Sequence, residues 1–175
     1  MKLLMHICCG PCTIYPLKEL RLRGHEVDGL FYNPNIHPYQ EYRRRLQTLN
    51  DYANMALLNI ACPEGYPLEE FLRQIVFKEN DRCEYCLHDR IKYTAEAALV
   101  DKYDGFTTTL LYSKYQKHDL IREIGEHVSR QLGFPFFYQD FRAGWGEGVR
   151  ISRELEMYRQ PYCGCIYSEK ERFYR

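Results

Sequence analysis

The chain has no long apolar run, no excess of either charge and a single tryptophan. Among its 175 residues, 24 Lys and Arg balance 24 Asp and Glu. No segment approaches the roughly 20 consecutive apolar residues that a membrane-spanning helix needs. A secretory leader is not expected, because Lys2 comes second and cysteines interrupt the apolar run after Ile7. We therefore expect a cytoplasmic protein with no membrane partner, whose global charge does not by itself select nucleic acid.

Linkers, low-complexity segments and internal repeats are also absent from the sequence. A chain of 175 residues is long enough to bury about two-thirds of the surface that its unfolded state exposes. The sequence therefore predicts one domain over residues 1–175.

Cysteine, by contrast, is abundant and clustered. Seven of the eight cysteines fall into three groups, which are Cys8 with Cys9 and Cys12, Cys83 with Cys86, and Cys163 with Cys165. Only Cys62 stands apart. In a reducing compartment, such clusters indicate metal binding or redox chemistry rather than structural disulfides.

Strand patterns alternate with amphipathic helix patterns along the chain. Strands are predicted at residues 1–7, 26–32, 56–61, 106–111 and 134–138. Helices are predicted at residues 13–23, 38–55, 68–77, 85–102, 118–132 and 149–158, and a flexible glycine loop at residues 144–148. This alternation predicts an α/β fold with a doubly wound parallel sheet of about five strands and helices on both faces.

The first strand runs directly into a cysteine-rich turn. Residues 8–12 read Cys-Cys-Gly-Pro-Cys and precede the first helix. Open α/β proteins bind ligands at the carboxyl edge of the sheet, and a helix N-terminus favours the thiolate form of cysteine. We therefore expect the chemistry of this protein at this turn.

Three kinds of chemistry suit the clustered thiols. The two C-x-x-C pairs, at Cys9 and at Cys83, can bind zinc, although they lie much further apart than in zinc ribbons. An iron–sulfur cluster accepts thiolates from distant segments and is favoured here. A strand followed by C-x-x-C and a helix is also the local context of a thioredoxin-like dithiol, although that fold needs a strand and a helix before it. The C-x-C at Cys163 suits either a strained, redox-active disulfide or metal ligation.

Taken together, the motifs resemble the QueH family, the cobalamin-independent epoxyqueuosine reductases of tRNA modification. The resemblance extends in order over nearly the whole chain. It is carried by residues 8–12 (CCGPC), 32–38 (YNPNIHP), 82–86 (RCEYC), 107–113 (TTTLLYS), 140–142 (DFR) and 158–165 (YRQPYCGC).

The resemblance implies an adenine-nucleotide-hydrolase-like (HUP-like) sheet in which cysteines replace the nucleotide loop at the carboxyl edge. It also implies reductive deoxygenation of epoxyqueuosine to queuosine in the tRNA anticodon loop, the last step of queuosine biosynthesis. Electrons would come from an external donor. The alternatives are a thioredoxin-like disulfide oxidoreductase and a non-catalytic zinc-binding RNA-binding module.

The same resemblance implies a [4Fe-4S] cluster and roles for the cysteines. Its four ligands would be Cys8, Cys9, Cys83 and Cys86. Cys163 and Cys165 would form a redox-active pair or ligate metal. Cys12 is left as a catalytic thiol, a ligand or a residue that helps to hold a second iron ion.

Several other side chains are candidates for acid chemistry or substrate binding. Asp140 is expected to face the cysteine turn as a proton donor or metal ligand, or instead to cap the glycine segment. Tyr32 is a candidate for stacking on the modified base, and Asn33 and Asn35 for reading base edges. The remaining candidates for substrate or phosphate contact are His37, Ser113, Lys114, Lys117 and Arg142. The triplet at residues 43–45 (RRR) is expected on a solvated helix face.

Overall fold

A computed structural model describes residues 1–174 and contains one parallel sheet. Its strands are β1 (Lys2–His6), β2 (Glu26–Leu30), β3 (Ile60–Ala61) and β4 (Gly105–Thr108), in the spatial order β3-β2-β1-β4. Every pair of neighbouring strands is parallel. Within residues 1–174, no helix has both the length and the apolar character needed to cross a bilayer.

Within the described residues, seven α-helices alternate with or follow the strands. They are α1 (Gly10–Leu22), α2 (Tyr39–Ala56), α3 (Leu68–Ile75), α4 (Arg82–Val100), α5 (His118–Leu132), α6 (Trp145–Glu154) and α7 (Ile166–Phe173). Helix α1 packs on α2 and α6, and α4 packs on α5, β1 and β4. All four residues from Leu3 to His6 are buried, and successive strand residues face opposite sides, so helices cover both faces of the sheet. The predicted α/β fold is confirmed.

The predicted number of strands is too high. Residues 134–138 contribute one isolated bridge, between Phe136 and Phe106, and no further ladder. Pro135 lacks the N–H group that a continuing ladder would use. The strand predicted at residues 106–111 stops at Thr108, whose hydroxyl accepts the Leu110 N–H and starts a 3-10 turn at Thr109–Leu111.

The glycine segment forms no flexible loop, which corrects the prediction made from its composition. Gly144 ends a 3-10 turn at Arg142–Gly144, and α6 begins at the next residue. A Cβ atom on Gly144 would lie 2.1 Å from the Tyr15 ring, so the glycine allows α6 to approach α1 closely. Helix α7, after Cys165, was not predicted.

The strand order places the cysteine turn at the point where the chain changes direction across the sheet. After β1, the chain builds β2 and β3 on one side, and it later returns to add β4 on the other. Ligand-binding crevices in open α/β sheets lie between the carboxyl ends of two such strands. Here those ends lead to Cys8 and Thr109, so the two residues meet at the crevice.

Candidate metal and substrate site

Three thiols meet in the turn that follows β1. The Sγ atoms of Cys8, Cys9 and Cys12 lie within 4.8 Å of one another, a spacing that can hold a metal ion. Cys9 is the N-cap of α1, and Cys12 lies in its first turn. The helix N-terminus therefore adds a favourable electrostatic field for thiolate sulfur.

Gly10 allows this turn to form. A Cβ atom at this position would lie 2.9 Å from Cε of Met157 and 3.1 Å from the carbonyl oxygen of Thr48. Helix α1 thus begins directly against the backbone of α2, and any side chain at residue 10 would push the two apart. The glycine of the CCGPC motif is needed for this close approach.

The three thiols of the turn have different acidities. Hydrogen bonds from the Cys12 and Cys9 thiols hold the pKa of Cys8 well below its ordinary value. The hydrogen bond that Cys12 donates to Cys8 raises the pKa of Cys12, whereas burial raises the pKa of Cys9. Cys8 is therefore the most acidic thiol of the group, and its two neighbours are hydrogen-bond donors to it.

The other two cysteine groups meet in a small neighbouring cavity. Cys83 and Cys86, in the first turns of α4, and Cys163 and Cys165, in the loop before α7, all line a volume of about 150 Å³. All eight cysteines are free thiols. Burial raises the pKa of Cys86 to about 12. Four thiols from two distant segments therefore surround one space.

A larger cavity of about 410 Å³ connects the two thiol groups. Its wall includes Cys8 and Cys12 from the first turn and Cys163 from the second group. Cys163 lines both cavities, as does Arg90 of α4. Cys62 is exposed and lies outside this region, with its sulfur 3.5 Å from the Tyr42 hydroxyl.

A still larger cavity of about 560 Å³ lies between α3, α4 and α5. No cysteine is among the described residues that line it. Of the 410 Å³ and 560 Å³ cavities, only the smaller one combines cysteine thiols that can bind a metal with space for a substrate. The 410 Å³ cavity is therefore the candidate active site.

Helix α2 anchors the C-x-C segment through hydrogen bonds from Arg45. Arg45 donates from Nη1 to the Cys163 carbonyl oxygen (2.8 Å) and from Nε to the Glu41 carboxylate (2.7 Å). Its side chain is 1% exposed, so the prediction that the whole arginine triplet is solvated is wrong at this position. Gly164 adopts φ +156°, and a Cβ atom there would lie 2.9 Å from Nδ2 of Asn35, so the segment requires glycine at its centre.

The YNPNIHP loop folds inward beneath this segment. Asn33, Asn35 and His37 are each 2% exposed. Asn33 donates from Nδ2 to the Ile7 carbonyl oxygen (2.8 Å), and the backbone N–H of His37 donates to the Gly164 carbonyl oxygen (2.8 Å). Such burial does not favour base-edge reading by Asn33 and Asn35 or substrate contact by His37, and these roles stay predictions.

Tyr32 also has partners inside the protein. Its ring stacks on Tyr93 with a centroid distance of 3.9 Å, and its hydroxyl donates to Asp89 (3.2 Å). Stacking on a substrate base would require this ring to leave Tyr93. The role predicted for Tyr32 is not supported by these contacts.

Asp140 is occupied by its own loop. Its carboxylate accepts hydrogen bonds from Nη2 (2.6 Å), Nε and the backbone N–H of Arg142, which lower its pKa to about 2, and it lies 3.9 Å from Nε2 of His118. Neither Asp140 nor Arg142 is among the residues that line the thiol cavities. These are the contacts of a loop cap, the alternative expectation. The proton-donor role stays a prediction.

Two of the predicted substrate-binding residues do lie beside the 410 Å³ cavity. Ser113 is part of its wall. Lys114 places its ammonium group 5.3 Å from the centroid of the Tyr115 ring and 5.8 Å from that of Trp145, and both aromatic residues line the cavity.

Several residues of the cavity wall received no role from the sequence motifs. Arg90, Arg159 and Arg172 contribute three positive charges, and no Asp or Glu is among the described residues that line the same cavity. Gln160 donates from Nε2 to the Cys9 sulfur (3.0 Å), and Gln116 to the Cys163 sulfur (3.5 Å). One signal was available for Arg90, because residues 83, 86 and 90 follow helical spacing and share a face of α4.

The chain is similar in sequence to one known family of proteins. A sequence model of the family described as Epoxyqueuosine reductase QueH matches residues 3–171. Proteins named Epoxyqueuosine reductase QueH include that of Dehalococcoides mccartyi, 34% identical over 172 residues with 98% of this chain and 94% of the relative covered. That of Thermotoga maritima is 36% identical over 179 residues, with 97% and 91% covered.

The fold itself has a solved relative of low sequence identity. A crystal structure described as a predicted subunit of tRNA methyltransferase from Methanocaldococcus jannaschii superposes with a TM-score of 0.61 at 11% identity. The match covers 88% of this chain and 75% of the other. At this identity the likeness shows the fold alone.

Proposed function

This chain belongs to the QueH family of epoxyqueuosine reductases, and we propose that its thiol cavity removes the epoxide oxygen of epoxyqueuosine in a tRNA anticodon loop. One observation carries the assignment of the cavity. Its wall brings Cys8 and Cys12 of the opening motif together with Cys163 of the closing motif, which lie at opposite ends of the sequence.

The reaction has a defined balance. Converting the epoxide to an alkene breaks two C–O bonds, consumes two electrons and two protons, and releases the oxygen as water. Cys163 and Cys165 are both free thiols, so oxidation of this pair to a disulfide would release two electrons and two protons. An external reductant must then reduce the disulfide before the next turnover.

The donor set fits an iron–sulfur cluster. Such clusters take four thiolates, and the ligands that we propose are Cys8 and Cys9 of the first turn with Cys83 and Cys86 of α4. The close approach of the Cys8 and Cys9 sulfurs (3.9 Å) and the amide that Gln160 directs at Cys9 support this role. When bound, a [4Fe-4S] cluster supplies low-potential electrons to the site.

Cys12 is the third thiol of the first turn, with Cys8 and Cys9, and it also lines the 410 Å³ cavity. In our proposal this thiol, which the cluster does not need, would help to hold a second iron ion. Its hydrogen bond to Cys8 makes it a proton donor in the metal-free protein.

The rim of the cavity suits an unpaired nucleotide. Tyr115 is 79% exposed, and Trp145 meets it edge-on with a centroid distance of 5.5 Å. Aromatic rings of this kind stack on bases that are turned out of an RNA loop. Lys114 on the rim and Arg159 and Arg172 in the wall supply positive charge for the flanking phosphates.

The decisive experiment is anaerobic purification followed by metal analysis and turnover. We expect a brown protein that contains iron and sulfide and converts epoxyqueuosine in tRNA to queuosine when a reductant is supplied. Cys8→Ser and Cys83→Ser should lose iron, whereas Cys62→Ser, at an exposed thiol outside the cavities, should retain it.

Other results would contradict the proposal. A colourless, iron-free protein with stoichiometric zinc and no turnover would indicate a zinc-binding RNA-binding module. A colourless protein that reduces model disulfides but not epoxyqueuosine would indicate a dithiol oxidoreductase.

A further inference from the structure

Arg90 is a buried cation on α4. Its side chain is 3% exposed, and within residues 1–174 no carboxylate oxygen lies within 4.0 Å of its guanidinium group. Arg45, the other arginine that is almost fully buried, has Glu41 at 2.7 Å. The carboxylate of the neighbouring Asp89 accepts the Tyr32 hydroxyl (3.2 Å) and makes no ion pair with Arg90, so its charge acts on Arg90 only at longer range.

The guanidinium group of Arg90 is anchored to its own helix through Nε. Nε donates to the Cys86 carbonyl oxygen one turn earlier on α4 (3.0 Å). Arg90 lines both thiol cavities, so its side chain lies beside cysteines of the first turn and of the second thiol group. A guanidinium cannot lose its charge in a protein, so this burial must be compensated by negative charge nearby.

Thiols are the groups that can supply that charge. Arg90 shares the walls of the two cavities with Cys8, Cys86 and Cys163, which belong to three different segments and carry negative charge as free or metal-bound thiolates. We propose that Arg90 is the counter-charge of the thiol site: it stabilises thiolate and metal-bound thiolate sulfur in both cavities and so raises the reduction potential of the centre that they hold. Arg90 is thus a positioning residue that acts through the sulfurs.

The effect of the Arg90 charge on the electrostatic potential at Cys163 can be measured without a metal or a substrate. Iodoacetate is an anion and iodoacetamide is neutral, so the ratio of their rates at one thiol reports the local electrostatic potential independently of how much thiolate is present. The full chain, stripped of iron by chelation, is alkylated with each reagent, and modification of the exposed Cys163 is followed by mass spectrometry.

Arg90→Met removes the charge and keeps the apolar stem. We expect the iodoacetate-to-iodoacetamide ratio at Cys163 to fall by about fivefold or more, the effect of one unit charge a few ångströms from the sulfur. Lys92→Gln removes the same charge from the half-exposed side of α4 and should leave the ratio unchanged. An unchanged ratio in folded Arg90→Met would overturn the proposal.

The reduction potential of the iron-loaded protein gives the second readout, and this part rests on the proposed function. We expect Arg90→Met to shift it to a lower value and Arg90→Lys, which retains the charge, to keep it near that of the wild type. If Arg90→Met does not fold, the test rests on Arg90→Lys. A folded Arg90→Lys variant with a reduced iodoacetate-to-iodoacetamide ratio and a lowered reduction potential would overturn the proposal, because it would show that the shape of the guanidinium group matters and not its charge. Wild-type protein that binds no iron would contradict the proposed cluster, and the alkylation ratio would still test Arg90.

Discussion

The Thr109 hydroxyl accepts the backbone N–H of Cys8 (3.1 Å) and donates its own proton to the Cys8 sulfur (3.4 Å). One oxygen atom therefore joins the carboxyl ends of β1 and β4 and contacts the most acidic thiol of the site. The two residues are far apart in sequence and meet because β1 and β4 are neighbouring parallel strands.

Thr109→Val should remove both bonds while keeping the shape of the side chain. We expect a loss of about 1–2 kcal/mol in the free energy of unfolding and an increase in the pKa of Cys8. The matched control is Thr107→Val, because the buried Thr107 hydroxyl has no hydrogen-bond partner among the described residues and its removal should be neutral. Denaturant unfolding and the pH dependence of iodoacetamide reactivity measure the two effects. Equal behaviour of the two variants would contradict the role of Thr109.

His6 should make the protein less stable in mild acid. Burial lowers the pKa of His6 to about 3, and its ring bonds to the Thr108 hydroxyl (3.0 Å) and the Tyr32 carbonyl oxygen (3.2 Å). The unfolded chain takes up a proton near pH 6.5, whereas the folded chain does not, so the free energy of unfolding falls by about 1.4 kcal/mol per pH unit between pH 6.5 and about 3. Denaturant unfolding at several pH values measures this slope. It should flatten in His6→Gln and persist in His127→Gln, at an exposed position.

Arg45 should be more costly to remove than its neighbours in the triplet. Arg45→Met leaves the buried Glu41 carboxylate without its cation and frees the Cys163 carbonyl oxygen, so we expect a loss of about 3–5 kcal/mol. Arg43→Met, at an exposed position of the same helix, should change stability by less than about 0.5 kcal/mol. Chemical denaturation compares the two.

The double variant Glu41→Leu/Arg45→Met separates folding from positioning of the C-x-C segment. We expect much of the stability to return, because no buried charge is left unpaired. Turnover should stay low, since Cys163 has lost its support. Full recovery of turnover would show that Arg45 has only a structural role.

Asp140→Asn tests the sequence-based expectation of a proton donor against the loop cap. From the contacts with Arg142, we expect iron content and turnover near those of the wild type. The native pKa of about 2 lies below the ordinary 3.8, so the carboxylate contributes stability above pH 3.8 that is lost as the pH falls through 2. Acid unfolding should therefore begin from a lower stability in the variant. A collapse of turnover with intact folding would instead restore Asp140 to the reaction.

Tyr115→Ala should weaken the binding of the tRNA substrate. Stacking of a base on an aromatic ring contributes about 1–3 kcal/mol, so we expect Kd to rise at least several-fold with little change in the rate of the bound substrate. Phe77→Ala is the control, because this ring is even more exposed than Tyr115 and is not among the residues that line the cavity. Arg159→Gln and Arg172→Gln should each make binding less dependent on salt concentration. Identical affinities of Tyr115→Ala and Phe77→Ala would remove Tyr115 from the RNA surface.

Local patterns in the sequence were sufficient for the class of fold and for the thiol chemistry. The apolar run before Cys8, the position of Gly10 and the three cysteine groups follow from short stretches of chain, and each predicts its own strand, turn or ligand pair. The resemblance to the QueH family rests on these same stretches. The structure and the relatives confirm the α/β fold and the family.

Tertiary structure decided which side chains face the cavity. Asn33, Asn35 and His37 have the polarity of substrate-binding residues, yet packing beneath Gly164 buries them. Arg45 and Arg90 look like surface charges on helices, and only the placement of α2 and α4 against the thiol segments shows that both are buried. Polarity and spacing define what a side chain can do. What it touches depends on contacts between residues distant in the chain, such as that of Cys8 with Thr109, which exist only once the sheet has formed.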